Sequence, residues 1–518
     1  MVPGFAHRHT WVTVLVAVAA VLHAWAMAWP GTGVAQGGLQ WLAVLTLAWA
    51  LSRDASPRRA AAWGLGFGAI SLMVATWWLY ISLNVYGGLP APLAVLSVGL
   101  LGAALALYLA FACWLFVVCR PATPSVFLRS LFFAAAWGFS ELARGVLFTG
   151  FPWAAAGYAH VDGGLAALAP WLGVYGMGMV AAGLAMACAQ AWLQYPARRA
   201  WTLAIAVCIA GWMSWPYVPE ASDSAAQTLP RLRVALLQGN VPQNQKFTQQ
   251  RESALQWYAE TMLHSEADVV VIPETALPMA VQHLPPTYWE QLVAHFSQGR
   301  SSALIGLPLL DQGQYHNSAV GMTAGAAYRY DKVHLVPFGE FVPPMFRWFT
   351  QMMNIPLGDF GRGATEQPSF VVAGQRLAPN ICFEDLFGEE LATRFRDPSF
   401  APTVMVNMSN LAWFGNTVAL DQHLNISRLR TLELARPMIR ATNTGTTAII
   451  DHRGRVTHRL PPETRGVLVG EVGGRTGPPT FFAWWAARWG LAPLWLVCGT
   501  VMAWAVWATR RNRAKAGD

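Results

Sequence analysis

Long apolar runs constrain this sequence more than any other feature. Eight of them approach or exceed the length that crosses about 30 Å of hydrocarbon, and they lie at residues 11–29, 37–52, 61–83, 91–119, 126–147, 164–194, 200–217 and 484–508. Only 12% of the residues are charged, whereas a soluble domain carries about 25%. The chain is therefore predicted to contain a multi-pass α-helical membrane domain with about eight spans.

Basic residues collect in alternate loops between these runs, and they are Arg8, Arg53, Arg58, Arg59, Arg120, Arg198, Arg199, Arg510, Arg511, Arg513 and Lys515. The other loops (30–38, 84–90 and 149–163) contain no Lys or Arg. The positive-inside rule makes the basic side cytoplasmic. It predicts seven spans within 1–219, an extramembrane domain on the outer side at 220–480, and a last span with a basic cytoplasmic tail at 481–518. Because the net charge of +8 arises beside apolar runs and not on a basic face, nucleic-acid binding is not expected.

Between about residues 230 and 477 the sequence changes to short apolar runs separated by polar helical stretches. The candidate strands are Arg233–Leu237, Val269–Ile272, Ala303–Gly306, Asn317–Val320, Val404–Asn407 and Thr447–Ile450, and the candidate helices are 249–266 and 286–299. Alternating strands and helices predict a layered α/β domain with reactive residues at strand ends.

Cys382 is the only cysteine in this polar part of the chain. It has no partner there for a disulfide and no neighbouring Cys/His set with metal-ligand spacing, so we expect no metal and no cofactor. Glu274 follows the run Val269–Ile272, and Lys332 lies in a stretch ending Pro-Phe-Gly-Glu. A carboxylate, an ammonium and a thiol are the minimum set for acyl transfer through a covalent intermediate.

Three strings carry a resemblance to known proteins: Val-Ile-Pro-Glu-Thr (271–275), Lys-Val-His-Leu-Val-Pro-Phe-Gly-Glu (332–340) and Asn-Ile-Cys-Phe-Glu (380–384). They resemble the Glu-Lys-Cys signature of the nitrilase (carbon–nitrogen hydrolase) superfamily. With Gln238-Gly239-Asn240, Ala412-Trp413-Phe414-Gly415, Gln422-His423 and Arg440-Ala441-Thr442-Asn443-Thr444-Gly445, and with the seven-plus-one arrangement of spans, the chain is similar to the apolipoprotein N-acyltransferase family.

The resemblance implies an αββα sandwich and a role for each matching residue. Glu274 would be the general base, Lys332 the oxyanion stabiliser and Cys382 the nucleophile, with Glu340 and Glu384 supporting them. The sequence departs from the family pattern at two positions. Phe383 stands where the family commonly has Tyr, and Leu411 stands where it often has Asp.

The resemblance also implies an activity and a location. A fatty acyl group would pass from a phospholipid to Cys382 as a thioester, and then to the N-terminal amine of the diacylglyceryl-cysteine of an apolipoprotein. Both substrates are lipids, so the enzyme would be embedded in the bacterial inner membrane with its catalytic domain in the periplasm.

Four aromatic residues are candidate lipid contacts, namely Trp153, Phe346, Trp348 and Trp413. Phe346 and Trp348 lie in an apolar stretch (341–353) directly after Glu340, which we interpret as an interfacial lid or, alternatively, as a core helix. The loop around Trp153 could line the acyl entrance or form an ordinary interfacial aromatic belt.

Other polar residues favour structural roles. Glu141 and Arg144 are spaced i,i+3 in the fifth run and are expected to pair with each other. His334 and His423 are expected to be hydrogen-bonded structural residues, since Glu274 already supplies a base.

Two other functions are compatible with parts of the sequence. A membrane-tethered nitrilase-type amidase would share Glu274, Lys332 and Cys382, but would not need seven spans or an apolar lid. A transporter with an external capture domain is less favoured, because the spans are poor in paired charges and contain no matched pair of interrupted helices.

Overall fold

The computed structural model describes residues 4–53, 55–120, 125–217, 227–246, 251–343 and 359–517. The chain forms two compact units. A helical unit comprises Met1–Tyr80, Leu89–Val218 and Leu491–Asp518, and a two-sheet unit comprises Ile81–Gly88 and Pro219–Gly490. The short segment Ile81–Gly88 thus belongs to the two-sheet unit, although apolar helices precede and follow it in the chain.

The helical unit is built from apolar helices. They are Gly4–Trp25, Gly37–Ser52, Pro57–Ala75, Ala91–Cys119, Val126–Val146, Ala169–Gln194, Arg199–Ser214 and Ala492–Gly517. Their alanine and glycine residues allow close helix approach; a Cβ at Gly64, for example, would lie 2.8 Å from the carbonyl oxygen of Leu109.

Four helical stretches in the described part of the chain are long and apolar enough to cross a membrane: Ala91–Cys119, Val126–Thr149, Gly164–Gln194 and Ala492–Lys515. A fifth is reached if the pair Pro57–Ala75 and Leu79–Tyr86, bent by 65°, is one span. Thr10–Trp25 and Gly37–Ser52 are apolar but shorter. Eight spans were predicted, and four to five helical stretches of the described residues have the length and composition of a span. Several of the apolar runs include turns, so their helices are shorter than the runs.

Glu141 and Arg144 form the predicted pair, with Arg144 Nη2 3.6 Å from Glu141 Oε1 and both side chains buried. Arg144 also donates to the carbonyl oxygens of Phe151 and Ala154 at 3.1 and 3.3 Å. Glu141 Oε1 accepts the Ala156 N–H at 2.7 Å. The pair therefore fixes the loop that follows its helix, which is a structural role.

The described residues of the two-sheet unit form twelve strands in two mixed six-stranded sheets. The first sheet has the order β12-β1-β2-β3-β4-β5 and the second β11-β10-β9-β8-β7-β6. The strands are β1 (Thr228–Gln238), β2 (Val269–Val271), β3 (Ser302–Asp311), β4 (Gln314–Thr323), β5 (Ala326–Asp331), β6 (Phe370–Val372), β7 (Gln375–Ile381), β8 (Val404–Ser409), β9 (Met438–Thr442), β10 (Ala448–Ile450), β11 (Val456–Arg459) and β12 (Gly466–Arg475).

Side-chain alternation along β1 explains the layers. Val234 and Leu236 enter the core between the two sheets, whereas Ala235 and Leu237 pack on the opposite face with the helices Arg251–Leu263 and Pro286–Phe296. On the second sheet, the helix Val418–Leu434 is joined to β9 by buried hydrogen bonds. Because a strand turns successive side chains to opposite faces, an apolar run buried on both sides yields helix, sheet, sheet and helix layers. The predicted αββα sandwich is confirmed in this part of the chain.

The predicted strands all overlap observed ones, and both predicted helices are present at Arg251–Leu263 and Pro286–Phe296. The strands that were not predicted include β7, which ends directly before Cys382. Its residues Gln375, Arg376, Pro379 and Asn380 mask the apolar pattern.

Candidate active site

Strand ends bring the three predicted catalytic residues into one region of the two-sheet unit. Glu274 is the third residue after β2, whereas Lys332 follows β5 directly and Cys382 follows β7 directly. β7, β8 and β9 are parallel neighbours, so the residues after their carboxyl ends share one edge of the sheet. The sequence separates Glu274 from Cys382 by more than a hundred residues, and the topology brings them together.

Lys332 makes two ion pairs in the buried site. Its Nζ lies 3.1 Å from Glu274 Oε1 and 2.9 Å from Glu340 Oε1, and the lysine is only 1% exposed. Glu274 Oε2 accepts the backbone N–H of Asn410 at 2.8 Å. Both oxygens of Glu274 therefore have donors, and its carboxylate is held in a fixed orientation.

Asn317 is a site residue that the sequence reasoning missed. Its Nδ2 donates to Glu274 Oε1 at 2.8 Å and to Glu340 Oε1 at 2.6 Å, so one amide bridges the two carboxylates that flank Lys332. Glu340 Oε2 in turn accepts the Val336 N–H at 2.8 Å. The neighbours of Asn317 in β4 include Gln314, His316 and Ser318, so no feature of the sequence distinguishes Asn317 from the other polar residues of that strand.

The electrostatics favour a charged Glu274–Lys332 pair. Burial alone would raise the pKa of Glu274, but Lys332, the Asn317 amide and the Asn410 N–H together lower it below its ordinary value. Burial would lower the pKa of Lys332, but the carboxylates of Glu274 and Glu340 outweigh it and raise the pKa. At neutral pH the site therefore holds a carboxylate and an ammonium.

Cys382 is a neutral thiol in this environment. It is 9% exposed, and burial, followed by the charge of Glu274, raises its pKa well above the ordinary value, although Lys332 and the Asn410 N–H act in the opposite direction. Its backbone adopts φ = 55°, a conformation that non-glycine residues rarely take. The sharp turn after β7 directs the side chain away from the strand.

Glu384 links the turn after Cys382 to the segment that carries Lys332. Its Oε2 accepts the Ile381 N–H at 2.5 Å, and its Oε1 accepts the Val333 N–H at 2.6 Å. Tyr330 Oη donates to both oxygens at 2.9 Å. These contacts tie the turn after β7 to the segment around Lys332.

Phe383 is buried and packs against other rings. Its ring centroid lies 5.3 Å from that of Phe387 and 5.7 Å from that of His334. The phenyl ring thus fills an aromatic cluster beside the site. His334 is hydrogen-bonded to Glu390 at 2.9 Å, in line with its expected structural role.

Trp413 is the predicted lipid contact that the described structure leaves accessible, with 43% of its surface exposed. Its ring lies 5.7 Å from that of Tyr86, and its carbonyl oxygen accepts the Ser82 hydroxyl at 2.8 Å. It stands three residues after Asn410, on the loop that contacts Glu274. Leu411, the departure from the family pattern, is fully buried in the core between the sheets.

The other predicted lipid contacts differ from Trp413. Trp153 belongs to the helical unit and is 2% exposed, with its ring centroid 4.7 Å from that of Trp78; little of its surface is available to a substrate. Phe346 and Trp348 lie outside the described residues. Among the residues that the structure describes, no group of three or more His, Cys, Asp or Glu side chains could hold a metal ion.

Family models cover most of the chain. The model for the apolipoprotein N-acyltransferase N-terminal domain matches residues 19–187, and the model for carbon-nitrogen hydrolase matches residues 233–477. The second match contains all three predicted catalytic residues.

Relatives that match over most of their length extend these findings. Those of three organisms are each named apolipoprotein N-acyltransferase. The protein of Verminephrobacter eiseniae is 50% identical and the match covers 96% of this chain and 97% of that protein. The protein of Ralstonia nicotianae is 45% identical, covering 92% and 90%, and that of Bordetella bronchiseptica is 42% identical, covering 92% of each. Glu274 and Lys332 follow strands of the first sheet and Cys382 follows a strand of the second. Together with this two-sheet fold, these similarities show that the chain belongs to the apolipoprotein N-acyltransferase family, with a domain of the carbon–nitrogen hydrolase type.

Proposed function

We propose that this enzyme transfers a fatty acyl group from a phospholipid to the N-terminal amine of the diacylglyceryl-cysteine of apolipoproteins, through a thioester on Cys382. The observation that carries the proposal is a buried thiol whose pKa is affected by the charges of Glu274 and Lys332, which form an ion pair with each other. The names of the full-length relatives support the acceptor, and two lipid substrates suit a chain with several apolar helices.

In the first half-reaction, Glu274 removes the thiol proton as the sulfur attacks the ester carbonyl carbon of the phospholipid. Lys332 and the Phe383 N–H stabilise the oxyanion of the tetrahedral intermediate, and one such donor is worth about 3–4 kcal/mol. The carbon–oxygen bond then breaks. Glu274 returns its proton to the departing oxygen, which leaves a lysophospholipid and an acyl thioester.

In the second half-reaction, the α-amine of the lipoprotein attacks the thioester carbonyl carbon. Glu274 accepts a proton from the nitrogen, the carbon–sulfur bond breaks, and the thiol is restored by that proton. Dividing one acyl transfer into two steps allows a single site to serve two bulky lipids in turn. Asn317 and Glu340 would keep Glu274 and Lys332 in place through both steps.

The surroundings of the site agree with lipid substrates. The exposed ring of Trp413 would contact an acyl chain, and Phe346 and Trp348 remain predicted lid residues. The positive-inside pattern supports a multi-pass protein of the bacterial inner membrane with its catalytic domain on the periplasmic side. In this proposal, residues 1–219 form the membrane domain, residues 220–480 the catalytic domain, and residues 481–518 the last span with its cytoplasmic tail. The shorter helices, such as Gly37–Ser52 and Arg199–Ser214, would bring the spans to eight if each crosses the membrane.

Alkylation of the free enzyme should report the protonation state of Cys382. Because its pKa lies above the ordinary value of 9.0, the rate of reaction with iodoacetamide should rise about tenfold per pH unit from pH 7 to 9, without a plateau. Peptide-resolved mass spectrometry would separate Cys382 from the exposed Cys208. In Glu274→Gln, loss of the negative charge should move the curve to lower pH; a wild-type plateau below pH 7 would contradict the neutral resting thiol.

The direct test of the function is the intact mass of the detergent-solubilised protein after incubation with phospholipid. The mass should increase by one acyl group, located on Cys382, and a diacylated lipopeptide should discharge it with formation of the triacylated product. Absence of the adduct, or discharge only by water, would contradict the proposal. Release of ammonia from small amides without lipopeptide acylation would instead identify an amidase.

A further inference from the structure

The nucleophile has a strained backbone that its surroundings must hold. Its φ is 55°, a conformation in which a Cβ is sterically unfavourable and which persists only where neighbouring contacts hold it. On the N-terminal side, Glu384 holds the Asn380–Ile381 peptide group by accepting the Ile381 N–H. A different contact holds the carbonyl that follows, since Cys382 O accepts a hydrogen bond from His423 Nε2 at 3.2 Å.

The opposite nitrogen of His423 determines which tautomer is present. His423 Nδ1 lies 2.5 Å from Arg440 Nη1. A guanidinium can only donate, so Nδ1 must be the unprotonated acceptor and Nε2 must carry the hydrogen that reaches Cys382 O. Burial, reinforced by the Arg440 charge, lowers the pKa of His423 well below its ordinary value, and the ring is therefore neutral.

Arg440 is itself fixed in this buried layer. Its Nη1 also donates to Ser427 Oγ at 2.6 Å, and its Nε donates to the Thr446 carbonyl oxygen at 3.1 Å. Ser427 donates in turn to Asp385, three residues after the nucleophile. His423, Ser427, Arg440 and Asp385 are fully buried. A ring held on both sides in this way has little freedom to turn.

The Cys382 carbonyl and the Phe383 N–H belong to one peptide group. That group is planar and trans, so its C=O and N–H point in opposite directions. Fixing the carbonyl on His423 therefore fixes the direction of the N–H. The same hydrogen bond polarises the peptide group and makes the N–H a stronger donor, because hydrogen bonds in a chain reinforce one another.

We propose that His423 is a positioning residue for oxyanion stabilisation, which aims and polarises the Phe383 N–H by holding the Cys382 carbonyl. This inference rests on the proposed function, in which that N–H and Lys332 stabilise the tetrahedral intermediate. His423 does not act as an acid or base in it, since both ring nitrogens are engaged by Cys382 O and Arg440. The sequence expectation of a structural histidine is thereby refined into a role in the reaction.

Two amide variants, each of which places a polar group near one of the two ring nitrogens, separate the contact with Arg440 from the contact with Cys382. His423→Asn retains an acceptor near the Nδ1 position for Arg440 but does not reach Cys382, whereas His423→Gln carries an amide donor near the Nε2 position. Each full-length variant is given two reagents. Phospholipid reports acylation through an oxyanion, and iodoacetamide reports displacement at a saturated carbon, which forms no oxyanion.

In His423→Asn, single-turnover acylation of Cys382 should fall roughly 10- to 100-fold, while alkylation by iodoacetamide stays within about threefold of wild type. His423→Gln should recover most of the acylation rate. A general disturbance of the turn would slow both reactions together, so the ratio of the two rates is the measured quantity.

The inference is overturned if His423→Asn acylates at the wild-type rate, if both reactions slow equally, or if His423→Gln is as slow as His423→Asn. Should His423→Asn not fold, His423→Met provides the same test, because Ser427 Oγ and the Thr446 carbonyl still satisfy Arg440. Failure of wild-type protein to form any acyl adduct would overturn the proposed function itself, and is thus distinguishable.

Discussion

Replacement of Cys382 by serine should lower the rate of lipopeptide acylation by at least about a thousandfold while leaving the protein folded. A hydroxyl is far more difficult to deprotonate than a thiol, and Glu274, whose pKa is lowered, is too weak a base to compensate. Removal of a nucleophile from a cooperating set commonly costs this much or more. The hydroxyl is smaller than the thiol and has the Asn410 N–H as a neighbour, so folding should be maintained.

The measurement is the amount of triacylated lipopeptide formed over time, determined by mass spectrometry with wild-type and variant protein in the same detergent. Cys208→Ser is the matched control, because Cys208 is exposed on the helix Arg199–Ser214 of the helical unit. That variant should retain full activity. If Cys382→Ser acylated the lipopeptide at a near-normal rate, Cys382 could not be the nucleophile.

Of the three predicted catalytic residues, only Glu274 follows a strand that the apolar pattern predicts, the run of valines that forms β2. Lys332 and Cys382 follow β5 and β7, which that pattern did not predict. Short apolar runs indicate strands because a strand buried on both faces needs apolar residues throughout. The family resemblance then links residues that spacing alone does not connect.

Contacts between distant residues were not predictable in the same way. Asn317 meets Glu274 across 43 positions and Glu340 across 23, and no local pattern encodes either meeting. The same holds for His423, which reaches Cys382 O across 41 positions. These hydrogen bonds exist only after both sheets have formed. The strand pattern can therefore place a polar residue on a strand, but it does not identify the residue to which that side chain bonds.

Hydropathy also predicts more spans than the described residues have helices long and apolar enough to cross a membrane, and one run shows why. Residues 61–83 form a continuous apolar run in the sequence, yet the helix ends at Ala75, where Thr76 Oγ1 bonds back to the Leu72 carbonyl oxygen at 2.8 Å. The following segment bends by 65°. From Ile81 the chain belongs to the two-sheet unit, within which the Ser82 hydroxyl donates to the Trp413 carbonyl oxygen. Hydropathy measures how apolar a segment is and contains no information on such a tertiary partner.

Replacement of Lys332 by methionine should cost about 3–5 kcal/mol of stability at pH 8 and abolish measurable acylation. The ammonium is the partner that Glu274 Oε1 and Glu340 Oε1 share, at 3.1 and 2.9 Å. Removing one member of a buried ion pair leaves uncompensated charge in a dry site. Two carboxylates would then share the single amide of Asn317, and the oxyanion would lose its cationic donor.

The pH dependence distinguishes this mechanism from simple loss of packing. In the wild type, the lowered pKa of Glu274 and the raised pKa of Lys332 make the pair stabilising above the unfolded-state pKa of about 4.5 and below that of about 10.5. In Lys332→Met, burial raises the pKa of Glu274 above its unfolded value, so stability should return as the pH falls and the carboxylate is protonated. Apparent melting temperatures at pH 5.5 and 8 measure this. The melting temperature of the wild type should change little between these pH values, whereas that of the variant should be higher at pH 5.5 than at pH 8. If the variant were destabilised equally at both pH values, loss of packing and not the buried charge would account for the effect.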